Sequence, residues 1–291
     1  MMKSKTEVIE MESRKAEIRR LLQLSPAEVQ KLAGKRLLVC ADIDELHRKM
    51  AEDMVSEIEA NNSRRKPTRL ILPVGPVGQY PYLASLINTR NISLSECWFF
   101  FMDEYCDEQG GAVGANHPLS FKGCAHREFF SRLDGSCGLK PDRVVFPDEK
   151  NIVRLEQIIH EAGGIDTCYG GIGIHGHVAF NEPVEQVADT GPRAVRLNDF
   201  TVTLNAVRAE VGGNLECFPR YAFTLGMKQI LSARTIRLYC RNGCNLDWAN
   251  TVLRIALFAA SGDDYPVTHI RDRNYYITTD QDTLSSPKWI I

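Results

Sequence analysis

The sequence has no apolar run that approaches the length of a membrane-spanning helix. Its first residues, MMKSKTEVIEMESRKAEIRR, lack the apolar core of a signal peptide, so no secretion signal is expected there. The net charge is only −2, too little to draw the chain to nucleic acid or to an anionic membrane in bulk. A local anion site stays open. There is no internal repeat and no low-complexity tract. Cysteine is present nine times, but the number is odd and the positions are scattered, which argues against a disulfide framework. Reduced thiols and a cytoplasmic location are expected instead. Cys240 and Cys244 stand four apart with no second ligand pair at matching spacing, so no metal is expected. What remains is an ordinary globular composition, 44% hydrophobic and 25% charged. A chain of 291 residues is long enough to bury about three quarters of its unfolded surface.

The pattern along the chain divides it into a helical extension, 1–35, and an α/β domain, 36–291. Residues 6–24 read as a charged helix. Ser25-Pro26-Ala27-Glu28 starts another, with Ser as cap, Pro at the first helical position and Glu reaching back as in a capping box. This arm suits an oligomer contact, a lid, or a helix packed on its own domain. Thereafter short apolar runs alternate with amphipathic stretches. Strands are predicted at 36–40, 69–73, 97–102, 144–146, 165–172, 235–240 and 275–279. Helices are predicted from Asp42 through Ile58, through Tyr82–Ile87, and over 118–132, 152–162 and 246–260. Alternation of this kind gives right-handed crossovers and a largely parallel, Rossmann-like sheet with helices on both faces. Ligands in such folds sit beyond the C-terminal strand ends. Three loops fall there: 74–81, 103–118 and 173–183.

Each loop carries residues suited to chemistry. Asp103 closes an aromatic strand, where burial raises a carboxylate's proton affinity and makes it a better base near neutrality. Taken alone, it reads better as a cap. His177 lies in Gly-His-Gly-His-x-x-x-Asn-Glu-Pro and titrates in the physiological range. Glu182 is placed to hydrogen-bond one of its ring nitrogens. The run LPVGPVGQYP has the glycines of a phosphate-cradling turn, although Pro76 lacks an N–H.

Five segments together resemble the glucosamine-6-phosphate deaminase/isomerase family, whose relatives include 6-phosphogluconolactonase and whose fold is shared with ribose-5-phosphate isomerase. They are LPVGPVGQYPY (72–82), FFMDEY (100–105), NHPLSF with HREFF (116–130), GGIGIHGHVAFNEP (170–183) and PRYAFTLGMKQILSA (219–233). The tail PVTHIRDRNYYITTDQDTL also fits, so the resemblance spans about 37–284. It implies a sugar-phosphate isomerase type of fold and an aldose–ketose isomerisation of an amino sugar phosphate with loss of ammonia, with no cofactor. In that scheme Asp103 is the base between C2 and C1, His177 assists ring opening, and Glu182 works with His177. Gly75, Val77, Gly78, Glu104, His175, Gly176 and Arg208 are the implied substrate-binding positions. A small-molecule sugar phosphate is the expected partner, and a homo-oligomer is expected because family members commonly assemble.

The chain also departs from the family pattern. His175-Gly176-His177 stands where the family has Asp-Gly-His. The phosphate loop reads Gly75-Pro76-Val77-Gly78, without a hydroxyl and with one N–H fewer. Asn245 lies near the place of an expected lysine, and Arg241 is close enough in sequence to compensate. Two alternatives therefore stand beside the deaminase: a lactonase-like hydrolase, and a non-catalytic sugar-binding or regulatory protein.

Overall fold

The computed structural model describes residues 5–241 and 248–291; the expectations for Cys244 and Asn245 fall outside the described residues. In chain order the strands are β1 (Leu37–Cys40), β2 (Thr68–Leu72), β3 (Cys97–Phe101), β4 (Asp103–Tyr105) and β5 (Val144–Val145). They continue with β6 (Thr167–Gly171), β7 (Arg193–Arg196), β8 (Tyr221–Thr224), β9 (Thr235–Tyr239) and β10 (Tyr275–Asp280). Seven of them form a sheet in the order β1-β10-β9-β6-β2-β3-β5, with every neighbouring pair parallel. The order reverses between β6 and β2, which is where a parallel sheet opens a crevice at its C-terminal ends.

The helices are α1 (Lys5–Leu22), α2 (Pro26–Ala33), α3 (Ile43–Ser63), α4 (Gln79–Thr89) and α5 (Phe121–Glu128). After them come α6 (Leu155–Glu161), α7 (Asp199–Arg208), α8 (Met227–Leu231), α9 (Trp248–Phe258) and α10 (Gln281–Leu284). The strands are apolar on both faces because both faces are covered. Leu70, Leu72, Phe99 and Phe101 point into one core with α3 and α4. Ile71 and Phe100, the residues between them, point into the other core with α6, α8 and α9. The expected N-terminal signals are present: Asp42 caps α3 through Glu45 N–H, and Ser25 with Glu28 forms the capping box of α2.

Three expectations are adjusted. The run 97–102 breaks at Met102, so that β3 belongs to the large sheet and β4 to another. The helix expected over 118–132 is α5, capped by Ser120, followed by a separate 3-10 turn at Phe130–Arg132. A second sheet, β4-β8-β7, is antiparallel and encloses with α7 a small core of its own around Tyr105, Phe180, Val202 and Phe218. Sequence patterning did not show it.

The N-terminal arm lies on α9. Leu21 packs against Ile255 and Ala259, and Arg14 bridges to Asp264 at 2.9 Å and to the Ala260 carbonyl at 2.9 Å. Those contacts are at the end of α9 away from Trp248. Among the described residues, no helix is long and apolar enough to cross a membrane.

Candidate active site

A recess opens at the C-terminal ends of β2, β3, β6 and β9. Its wall includes Gly75 and Pro76 after β2, Asp103 after β3, Gly171 and Gly173 after β6, and Arg241 after β9. Asn205 and Arg208 from α7, Trp248 from α9, and His177 complete it. Asp103 and His177 therefore face one cavity, although 74 residues separate them in the chain.

Asp103 is held at the joint between the two sheets. The preceding residue, Met102, donates its N–H to Leu72 O at 3.0 Å and accepts from Leu225 N–H at 2.8 Å. Asp103 itself pairs in register with Thr224 of β8. Its side chain is buried, 7% exposed, and has no hydrogen-bond partner among the described residues. Burial first, and the neighbouring Glu104 charge second, hold its pKa well above the usual carboxylate range.

Strand alternation sends Glu104 the other way. Its carboxylate accepts Phe121 N–H at 2.9 Å, Lys122 N–H at 2.8 Å, Ser120 Oγ–H at 3.0 Å and Tyr105 N–H at 3.0 Å. It thus satisfies the first turn of α5 and is not among the residues lining the recess.

The turn 173–177 explains its glycines. Gly173 N–H bonds His177 O at 2.8 Å, and Gly176 takes φ +72°, which a side chain would strain. A Cβ on Gly173 would sit 1.9 Å from His177 Nε2. Ala179, on the recess wall, also takes a left-handed φ of +54° despite having a Cβ. Strain of this kind, roughly 1–3 kcal/mol, gathers at functional sites.

Glu182 does not bond His177 as its position suggested. It is buried and accepts Asn198 N–H at 2.9 Å. His177 Nδ1 instead meets His175 Nδ1 at 3.1 Å, and His175 Nε2 meets Asn198 Nδ2 at 2.8 Å. The ladder runs His177, His175, Asn198, and Glu182 anchors the backbone beneath it. Burial, then the fields of His175 and Arg208, push His177 down to about 3. Burial also lowers His175, against the pull of the Glu182 charge. Both imidazoles are neutral at pH 7.

Of the implied binding positions, Gly75 and Arg208 line the recess; Val77, Gly78, Glu104, His175 and Gly176 do not. Gly78 is packed under His47, whose Nδ1 would lie 2.2 Å from an added Cβ. His47 is itself lowered to about 4, by burial and then by Arg241, which places the Arg241 charge near this loop. Gly176 packs against Tyr265 and Val267. Arg208 lies over the Trp248 ring, 5.1 Å from its centroid. Sequence reasoning missed Asn198, Asn205, Trp248 and Tyr239. Asn205 stands one turn before Arg208 on the same face of α7, a spacing visible in the sequence.

No protein-family model matches the sequence. The glucosamine-6-phosphate deaminase of Caenorhabditis elegans is 31% identical over 211 residues, which cover 70% of this chain and 74% of that protein. Glucosamine-6-phosphate deaminase 2 of Bacillus subtilis (strain 168) is 30% identical over 204 residues, 67% of this chain and 76% of that one. Among solved structures, a monomeric glucosamine-6-phosphate deaminase superposes with a TM-score of 0.74 at 24% identity, over 85% of this chain and 98% of its own. The 6-phosphogluconolactonase of Thermotoga maritima shares the fold, with a TM-score of 0.62 at 16% identity over 84% of this chain and 98% of its own. With relatives at this identity over two thirds or more of its length, and a shared fold, the chain belongs to the glucosamine-6-phosphate deaminase family.

Proposed function

We propose that the protein is a cytoplasmic deaminase/isomerase of an amino sugar phosphate, glucosamine-6-phosphate or a close relative. The observation that carries this is Asp103: a buried carboxylate without a hydrogen-bond partner among the described residues, facing a recess that also holds an imidazole and two guanidinium groups. A carboxylate in that condition is a strong base waiting for a proton donor. In the open-chain aldose it takes the C2 proton, the electron pair forms the C1–C2 double bond, and the C1 carbonyl oxygen takes up a proton from water to give the enolamine. Asp103 returns the proton to C1. The nitrogen gives a proton back to water, and the imine left at C2 takes up water and releases ammonia, giving the ketose phosphate. His177 sits where it can contact the reacting oxygens, and Arg208 with Arg241 supplies positive charge for the phosphate.

The direct test is ammonia release from a panel of amino sugar phosphates. Ammonia from none of them, together with hydrolysis of a phosphorylated sugar lactone, would replace this reading with the lactonase. Saturable binding without either turnover would leave a binding protein.

Two further results are expected. Arg208→Ala should raise KM roughly 10- to 100-fold with a smaller change in kcat, since one charge-assisted contact to phosphate is worth about 1.5–3 kcal/mol. Equal losses in kcat and kcat/KM would place Arg208 at the reacting centre instead. Gly173→Ala should lower kcat by about 10²-fold, because the new methyl displaces the His177 ring by more than the tolerance of a proton-handling site. Unchanged steady-state kinetics for that variant would mean that His177 does not contact the reaction.

A further inference from the structure

The histidine ladder has a direction, and one amide sets it. Asn198 caps α7: its Oδ1 accepts Thr201 N–H at 2.9 Å. That bond orients the amide, so the group facing His175 Nε2 at 2.8 Å is the NH2. An amide NH2 only donates, so His175 Nε2 must be the unprotonated acceptor. A neutral imidazole carries its proton on the other nitrogen. His175 Nδ1–H therefore donates to His177 Nδ1, 3.1 Å away. His177 must accept there and carry its own proton on Nε2, the atom against Gly173 at the recess.

We propose that Asn198 is a positioning residue for the proton chemistry of the site: acting through His175, it fixes His177 as the Nε2–H tautomer, so that His177 offers the recess a hydrogen-bond donor and not a base. A carboxylate at position 175 would do the reverse. It would accept from His177 Nδ1–H and leave Nε2 with a free lone pair, by the logic that orients any base through a third group. The His175 substitution thus inverts the polarity of His177. The charged and titratable groups around the pair act in the same sense for His177. His175 and Arg208 oppose a proton on it, while Glu182 favours one only on His175. Asn198 neither gains nor loses a proton at neutral pH, so the ladder ends there and cannot resupply a proton that His177 gives away. A fixed neutral donor suits one task in the reaction proposed above. It can polarise the C1 carbonyl oxygen, which gains electron density as Asp103 removes the C2 proton. That task rests on the deaminase reading; the tautomer does not.

The experiment is a long-range 1H–15N correlation spectrum of uniformly 15N-labelled protein at pH 7, assigned with His175→Gln and His177→Gln. The expected spectrum has a pyrrole-type Nδ1 and pyridine-type Nε2 for His175, and the opposite pair for His177. A pyridine-type Nε2 or an imidazolium at His177 overturns the proposal. Asn198→Asp and Asn198→Ser both retain a capping oxygen for α7, so the fold should be kept. Asn198→Asp should move the His175 proton to Nε2, and Asn198→Ser should release both rings from a single tautomer. Unchanged imidazole signals in both variants would mean that Asn198 merely caps the helix, and would also overturn it. In turnover, each variant should lose roughly 10- to 100-fold in kcat with KM little altered, the range for residues that orient a first contact. The expected spectrum from a protein that releases no ammonia would uphold the tautomer and remove the deaminase reading.

Discussion

Asp103→Asn is expected to remove ammonia release, lowering kcat by at least 10²–10⁴-fold, the usual contribution of a general base, while raising the melting temperature. The two effects share one cause. Asp103 is buried without a hydrogen-bond partner among the described residues, and its pKa is held well above the ordinary value. Below its unfolded pKa, about 3.9, the carboxyl is protonated in both states and costs nothing. As pH rises through that value, the unfolded chain ionises first, and stability falls until the folded carboxyl ionises too. The variant escapes this, so its advantage in melting temperature should appear above about pH 4 and be absent below it. In the parent protein the acid limb of kcat/KM should lie above the usual carboxylate range, because the base in question is this one. A variant that is both inactive and less stable at pH 7 would show Asp103 to be structural.

Arg254→Met should cost about 3–5 kcal/mol of folding stability. Arg254 is fully buried. Its guanidinium donates to the carbonyls of Leu24 at 3.1 Å, Asn250 at 2.9 Å, Leu284 at 3.2 Å and Ser285 at 3.1 Å. One fork thereby ties the α1–α2 joint and the end of α10 to α9. Methionine fills the volume but leaves the Leu24, Leu284 and Ser285 carbonyls without this donor, and each buried unpaired acceptor costs about 1–3 kcal/mol. Arg254→Lys should recover only part of this, since a single ammonium cannot span the fork. Urea denaturation measures the difference, and a loss below about 1 kcal/mol would show that the carbonyls find other partners.

The large sheet was legible because its strands are buried on both faces, which leaves continuous apolar runs such as RLIL and CWFFF. The small sheet was not. Arg193–Arg196 begins and ends in arginine, Tyr221 at the start of β8 is exposed, and β4 finds β8 across more than a hundred residues. At the site, Asp103 and His177 stood out because strand ends and glycine turns are local signals. Glu104 was grouped with Asp103 by adjacency, although alternation along a strand separates the two. The link from His175 to Asn198 crosses 23 residues through side chains alone, so no periodicity carries it. The Asn198-x-x-Thr201 helix start was visible; what its amide touches was not.

The sheet order has a consequence for synthesis. Among the described residues, β1 lies at the edge of the sheet and pairs with β10 alone, the last of the ten strands. Leu37–Cys40 leaves the ribosome first, and its neighbour, Ile277–Asp280, emerges some 240 residues later. At about 5–20 residues per second, that is a delay of roughly 10–50 s. During that interval a nascent apolar segment has no native strand beside it, and the growing chain must keep it from pairing elsewhere until β10 has been made.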